Sequence, residues 1–343
     1  MEFGIQFFPD LGPGEQSGAD YWAEALHLVG LCDELGYTSV RTVEHYFHPY
    51  GGYSPNPIVF LSAAAMLTKK ARLITGAVLP TFNNPLKLAG EIGMLDAISG
   101  GRSEVGFGRA FLPHEFARFK VSLDESRARF EEGVEQVRRL LEEENVTAEG
   151  KFHSFADVTS LPRPTQQPRP PFWIAAVGSP ESFARAGRNG YGIMAIPMAG
   201  GQMAELTGIY RENWQSAGHP GRGLVMMAFH MLCHPDSAEA ANLARGPLNR
   251  YLKTWTDGVN SADYPGYDKI VAALGQETFE SQVAKGAAWV GSPADIIEQV
   301  RECDRLIGGF EIASLQVNFN TVSLQDAEVS MRLFANEVVP NLS

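Results

Sequence analysis

Short β-rich runs alternate with longer helical patterns through almost the whole chain. This rhythm constrains the fold more than any other feature, because strands joined through helices pair in parallel. Strands are read at 2–8, 39–43, 72–79, 102–106, 172–176, 192–196, 224–233 and 311–317. The helices between them carry start and stop signals. Asp20 caps a helix over 21–35 that stops at Gly36, and Asn56-Pro57 and Asn84-Pro85 each place a capping Asn before a proline whose missing N–H costs nothing in the first turn. After Asn84, Leu88, Ile92 and Leu95 form one apolar stripe before Ser99-Gly100-Gly101 ends the helix. A helix over 124–144 turns Phe130, Val134, Val137 and Leu141 inward and a run of carboxylates to solvent. Ser179-Pro180, a capping box Asp236-x-x-Glu239, Ser292-Pro293 and Ser323 open the later helices.

Eight strands with no break in composition predict an α/β protein, a (β/α)8 TIM barrel with insertions, as a single domain over 1–343. Two stretches interrupt the pattern. Residues 146–171 are Pro-rich and read as an irregular excursion, and 246–290 lose periodicity and read as a lid or mobile loop. Lys and Arg total 28 against 40 Asp and Glu, and the net charge of -12 repels nucleic acid and anionic membranes, so neither is expected as a partner. Any phosphate site must therefore be local. Three cysteines, Cys32, Cys233 and Cys303, without paired metal spacing speak against a disulfide framework or zinc ribbon and fit a reducing cytoplasm. No signal sequence is recognised, and no apolar run reaches the ~18 residues of a spanning helix.

A barrel keeps its chemistry at the C-terminal ends of its strands. The second strand ends in Glu44-His45-Tyr46-Phe47, which puts an acid and an imidazole at the mouth, either for proton transfer or as a structural pair holding the loop. The third contributes Thr75-Gly76, where a glycine within a strand marks close approach of a backbone or ligand. The fourth ends in Gly106-Phe107-Gly108-Arg109, with an arginine suited to phosphate or carboxylate. This is no dinucleotide fingerprint, because Phe111 holds the third glycine position and no acidic ribose partner follows. Gly178-Ser179, with Ser182, opens a helix whose free N–H groups form an anion site or a plain N-cap. Arg127 either closes a phosphate cage with Arg109 or pairs with Glu131. Glu44, His45, His48, His114 and Glu115 could be assembled into a metal cluster, but the first strand ends in Gln6-Phe7-Phe8 without paired histidines, and no metal is expected.

Glu44-His45-Tyr46-Phe47, the loop from Leu79-Pro80 to Pro85, Leu95-Asp96-x-x-Ser99-Gly100-Gly101-Arg102 and Gly106-x-Gly108-Arg109, in this order and spacing, resemble the bacterial luciferase-like flavin-dependent monooxygenases. Ser126-Arg127-x-Arg129-Phe130-Glu131-Glu132, the proline run from Pro162 to Pro171, Ser179-Pro180-Glu181, Gly291-Ser292-Pro293 and Gly308-Gly309 extend the likeness along the chain, leaving only 246–290 outside it. The resemblance implies a barrel that binds reduced FMN at its mouth. Arg109, Arg127, Ser179, Ser182 and the backbone of Gly178 would hold the phosphate. Gly76 falls where the family has a cis non-proline peptide beneath the flavin, which makes Thr75-Gly76 the expected bond, and Gly108 stands where the luciferase catalytic subunit has a cysteine. His45 matches the proton-handling histidine, with Glu44 to orient it; Glu115 matches an acidic position at the flavin edge, and His114 beside it is a further candidate for proton transfer. Tyr46 replaces a second histidine common in luciferases, so light emission is not implied. Phe7, Phe8, Tyr46, Phe47 and Phe111 supply either a dry wall or core.

The implied activity is that of a two-component monooxygenase. It would take externally supplied FMNH2 and dioxygen, form a flavin hydroperoxide and oxygenate a small or medium organic substrate, with a separate NAD(P)H:flavin reductase as partner. A homodimer through the helices beginning at Asn56-Pro57 and Asn84-Pro85 is implied as well. A deazaflavin-dependent dehydrogenase or reductase of the same superfamily and a non-catalytic flavin-binding protein are the alternatives.

Overall fold

The strands are β1 (Glu2–Phe7), β2 (Ser39–Thr42), β3 (Arg72–Val78), β4 (Ser103–Phe107), β5 (Val146–Glu149), β6 (Ser154–Val158), β7 (Phe172–Ala175), β8 (Gly192–Ala195), β9 (Val225–Cys233), β10 (Ala288–Gly291) and β11 (Ile312–Gln316), in a computed structural model that describes residues 1–197, 201–260 and 267–342. β9-β11-β1-β2-β3-β4-β7-β8 pair in parallel in that order, and β8 returns to β9, closing an eight-stranded barrel. All eight are the expected strands, with every end within one residue of its expected place. Inside the barrel, Ile74, Trp173, Met194, Met226 and Ile312 from five strands meet in a cluster of their own, separate from the layer between barrel and helices. This filling leaves the strand ends to carry the site.

The helices are α1 (Gly18–Gly30), α2 (Cys32–Leu35), α3 (Pro57–Leu67), α4 (Pro85–Ser99), α5 (Pro113–Phe119), α6 (Ser126–Glu142), α7 (Pro180–Arg188), α8 (Gln202–Ser216), α9 (Ser237–Val259), α10 (Asp268–Leu274), α11 (Phe279–Ala284), α12 (Pro293–Ile307) and α13 (Leu324–Leu333). Asn56 and Asn84 cap α3 and α4 through their side chains, as expected. Three local expectations need correction. Ser17, not Asp20, caps α1, because its hydroxyl accepts from Asp20 N while Asp20 sits in the first turn, and the helix breaks at Leu31 before α2 ends at Gly36. Asp236 caps α9, but the reciprocal arm of the box is filled by His234 Nδ1, which accepts from Asp236 N, rather than by Glu239. The excursion at 146–171 contains the antiparallel hairpin β5–β6, whose turn is fixed by the Glu132 carboxylate accepting from Lys151, Phe152 and His153 N–H groups.

The stretch 246–290, expected to be a lid or mobile loop, is largely helical in its described residues. α9 runs on to Val259 through Pro247, burying Ala240, Ala244, Leu248, Tyr251 and Leu252 on one face, and α10 and α11 follow. β10 then pairs with the C-terminal half of β9, Ala288 opposite His230 and Gly291 opposite Cys233. Residues 261–266 of that stretch lie outside the described residues. Among the described residues no helix is long and apolar enough to cross a membrane.

The strand ends are clipped together. Asp10, following β1 and 1% exposed, accepts from Asn320 N at 2.8 Å and Asn320 Nδ2 at 3.1 Å, and Arg250 Nε of α9 donates to Asn320 Oδ1 at 2.7 Å. Burial pushes the Asp10 carboxyl up to about 7. A carboxyl whose pKa rises on folding binds its proton more tightly in the folded chain, so its stabilising contribution is complete below about 4 and is lost as pH rises to about 7. Asp10→Asn removes that titration. The melting temperature of the variant relative to wild type is expected to rise between pH 4 and pH 8 by an amount equivalent to a few kcal/mol; a constant difference measured by thermal denaturation across this range would show that Asp10 titrates normally.

Candidate active site

β2 ends at the mouth, and the chain then turns through Phe47 at φ 63. His45 is 6% exposed, and its Nδ1 lies 3.0 Å from Glu115 Oε1, so Nδ1 carries the proton donated to the carboxylate and Nε2 is left as the acceptor. The same Oε1 accepts from Tyr46 N at 2.9 Å, while Glu115 Oε2 is buried with no partner among the described residues. Glu115 arrives on α5, a short helix absent from the sequence reading. The rings of Phe8, Tyr50 and Phe111 stand 5.6 to 5.7 Å from the imidazole.

Glu44 does not orient His45, contrary to expectation. Its Oε1 accepts from Tyr46 Oη at 2.5 Å and Asn83 Nδ2 at 2.8 Å, and its Oε2 accepts from Leu79 N at 3.0 Å, so it pins the loop after β3. Burial pushes its carboxyl up to about 7 despite these donors. His114 places Nε2 at 2.9 Å from Tyr46 O, which makes that nitrogen a donor and leaves the ring holding the β2 loop from the other side. His45, Glu115, Tyr46 and His114 are thus brought together, and Glu44 touches them only through Tyr46. Among the described residues no three His, Cys, Asp or Glu side chains are placed to hold a metal.

The cis peptide falls one bond later than expected, between Gly76 and Ala77. Thr75 does not offer its hydroxyl to the mouth, because Oγ1 donates to Gly106 O at 3.0 Å and accepts from Gly106 N at 2.9 Å, lacing β3 to β4. Gly76 has no room for a side chain: a Cβ there would stand 1.9 Å from Arg41 Nε. Gly108 is tight but less so, with Ala77 Cβ and Leu79 Cδ2 both 3.2 Å from where its Cβ would be.

β4 and β7 are neighbours in the barrel, so Arg109 and the Gly178-Ser179 turn emerge side by side. Ser179 Oγ accepts from Ser182 N at 3.4 Å, which is the N-cap geometry; Gly178, Ser179 and Ser182 remain half-buried around the first turn of α7. Arg127 stands exposed in the first turn of α6, and Glu131, one turn on, pairs with Arg185 of α7 instead of with Arg127. Neither the Arg109 nor the Arg127 guanidinium has an ion-pair partner among the described residues. An unpaired cation near a helix N-terminus is chemistry suited to a phosphate.

Two polar side chains of the mouth carry no motif. Arg41 on β2 and His230 on β9 are each half-buried between fully buried neighbours. The one signal available for them in the sequence is a lone charged or titratable residue in an otherwise apolar strand.

The model of the luciferase-like monooxygenase family matches residues 1–308. Among curated relatives, the oxygenase component of a flavin-dependent trigonelline monooxygenase from Acinetobacter baylyi is 27% identical over 354 residues, covering 100% of this chain and 96% of its own. Among solved structures, the monooxygenase RslO1 of Streptomyces bottropensis is 42% identical with a TM-score of 0.91, covering 100% of both chains. The oxygenating constituent of 3,6-diketocamphane monooxygenase from Pseudomonas putida, in complex with FMN, shares the fold at a TM-score of 0.84 and 23% identity, covering 100% of this chain and 99% of that one. The closed barrel and the family match together place the chain in the luciferase-like monooxygenase family, as a flavin-dependent oxidoreductase.

Proposed function

We propose that this chain is the oxygenase component of a two-component system, which takes reduced FMN from a separate NAD(P)H:flavin reductase and uses dioxygen to oxygenate a small or medium organic substrate. The observation that carries the reading is the buried Glu115–His45 pair, walled by aromatic rings at a barrel mouth whose rim holds two unpaired arginines. The residues present fit FMN. Arg109, Arg127 and the N-terminus of α7 would hold the phosphate. Bound reduced FMN would supply the electrons that activate dioxygen. Glu115 fixes the tautomer of His45, so that Nε2 can give or take a proton at the reacting face, and Phe8, Tyr50 and Phe111 exclude water from it.

The test is to load the protein anaerobically with reduced FMN and mix it rapidly with buffer containing labelled dioxygen and a panel of ketones, aromatic acids and amines. Flavin reoxidation slower than in free solution, with labelled oxygen in a product that requires both reagents, is the expected result. Reoxidation as fast as that of free flavin, with tighter binding of a deazaflavin than of FMN, would sink the proposal in favour of hydride transfer.

A homodimer is part of the same reading. Val59, Met66 and Leu67 of α3 and Met94 and Ile98 of α4 form an exposed apolar face, Met66 being 67% and Met94 57% exposed. An apolar surface on two neighbouring helices is the material of an isologous contact. The pair of substitutions Met66→Glu and Met94→Glu is expected to convert dimer to folded monomer in sedimentation velocity; unchanged sedimentation would place the contact elsewhere. The three cysteines are free and buried, which fits the cytoplasm as the compartment.

A further inference from the structure

One hydrogen-bonded register row crosses four adjacent strands of the barrel: Arg41 of β2, Gln6 of β1, Gln316 of β11 and His230 of β9. Partners opposite one another in a parallel sheet point to the same face, so these four side chains share one surface. Arg41 Nη1 donates to Gln6 Oε1 at 2.7 Å, and Gln316 Nε2 donates to Phe8 O at 3.1 Å. The two ends of the row are incomplete. Arg41 Nε and His230 Nε2 are buried and have no hydrogen-bond partner among the described residues. The second bond of the guanidinium runs from Nη2 to Gly76 O at 3.1 Å, so both of its partners are neutral and no carboxylate pairs with it among the described residues.

A buried cation that lacks a counter-ion costs several kcal/mol in desolvation, and neutral acceptors satisfy its protons without cancelling its charge. Burial accordingly pulls the Arg41 pKa down to about 10, which still leaves it charged at neutral pH. Burial lowers His230 as well, to about 3, which leaves it a neutral ring set 4.5 Å from Tyr251 and 5.2 Å from Phe319. Phe8 links this floor to the reacting histidine, lying 5.6 Å from His45 and 5.8 Å from Tyr251. Above it, Tyr50 and Trp255 stack 5.9 Å apart at 10°. His45, Phe8, Tyr251 and His230 thus form a continuous run of ring contacts, and the row that starts at His230 ends at Arg41, a cation with no carboxylate partner among the described residues.

We propose that Arg41 binds an anionic oxygen, a carboxylate or phenolate, carried by a planar aromatic substrate. The aromatic faces receive the ring, and the guanidinium N–H groups that Gln6 and Gly76 leave unused receive the oxygen. Arg41 and His45 are four residues apart on one strand exit, at most about 14 Å along the backbone, so a substrate anchored at Arg41 presents its far side to His45. The inference deepens the monooxygenase reading and rests on it only for what happens to the bound ring. Binding itself needs neither flavin nor oxygen.

The experiment is calorimetric titration of the flavin-free protein with 1-naphthoate and with 1-naphthamide, in parallel with oxidised and reduced FMN. Wild type is expected to bind the carboxylate at least ~10-fold more tightly than the amide, a difference of about 1.4 kcal/mol. Arg41→Met and the polar, uncharged Arg41→Gln are expected to abolish that preference, Arg41→Lys to keep part of it, and all three to bind both redox states of FMN as wild type does. Two variants of different chemistry keep the result independent of whether either one folds poorly. A wild type without carboxylate preference, or a preference that survives in Arg41→Gln, would overturn the assignment. So would a selective loss of reduced over oxidised FMN binding in the variants, which would give the charge to the flavin. Failure of oxygen transfer with the naphthoate preference intact would instead strike the monooxygenase reading alone.

Discussion

Replacing His45 by alanine is expected to lower the rate of product formation by roughly 10²- to 10⁴-fold, the usual contribution of a positioned proton-transfer group, while FMN binding stays close to that of wild type. The reasoning starts from the tautomer. Glu115 can only accept when ionised, so the 3.0 Å contact fixes the proton on Nδ1 and leaves the His45 Nε2 lone pair as the acceptor. Glu115→Gln separates the two services this carboxylate provides. The Tyr46 N–H, 2.9 Å from Oε1, keeps an oxygen at that position, so glutamine preserves the orientation of the imidazole and removes only the charge. A smaller loss is expected for Glu115→Gln than for Glu115→Ala, which leaves His45 free to turn, and both should fall short of His45→Ala. The rate of product formation after mixing with dioxygen, together with product yield per flavin oxidised, is the measurement. A His45→Ala enzyme that keeps both rate and yield would mean that the pair serves the loop and not the reaction.

The barrel was legible because its strands are short apolar runs and its helices advertise their ends: Asn56-Pro57 and Asn84-Pro85 cap in the structure as they read in the sequence. The candidate site was legible in its location, since a closed parallel barrel restricts where chemistry can lie. Its wiring was not. Glu44 adjoins His45 in sequence, but neighbours along an extended segment point apart, and the carboxylate that reaches the ring is 70 residues away on α5. That helix is only Pro113–Phe119, too short for a periodic stripe to announce it. α9 failed to announce its length for a different reason. Periodicity is lost from Gly246 onward in the sequence, yet packing of Leu248, Tyr251 and Leu252 carries the helix through Pro247. Arg41 was visible as a lone cation in an apolar strand, but only the register with Gln6 and the missing counter-ion give it meaning.

Removing both rim arginines, Arg109→Met with Arg127→Met, is expected to weaken reduced FMN binding by roughly 10²- to 10⁴-fold. A hydrogen bond to a charged group contributes about 1.5–3 kcal/mol, and the lower end of the range allows for two neighbours that share one phosphate and do not add. Both side chains are exposed and free of ion pairs among the described residues, so their loss uncovers no buried carboxylate, and the fold should be untouched. Riboflavin, which lacks the phosphate, is the control that makes the result specific. Wild type should prefer FMN to riboflavin by a factor similar to the loss in the double variant, and the variant should bind the two flavins alike. Ser179→Ala should behave differently, because its hydroxyl already accepts from Ser182 N and the change removes a helix cap. A loss of about 1 kcal/mol of stability is expected there, with a smaller effect on affinity. An FMN preference that persists in the double variant would show that the phosphate is held by the α7 N-terminus without the arginines, since the backbone N–H groups of that turn are the remaining donors emerging beside β4.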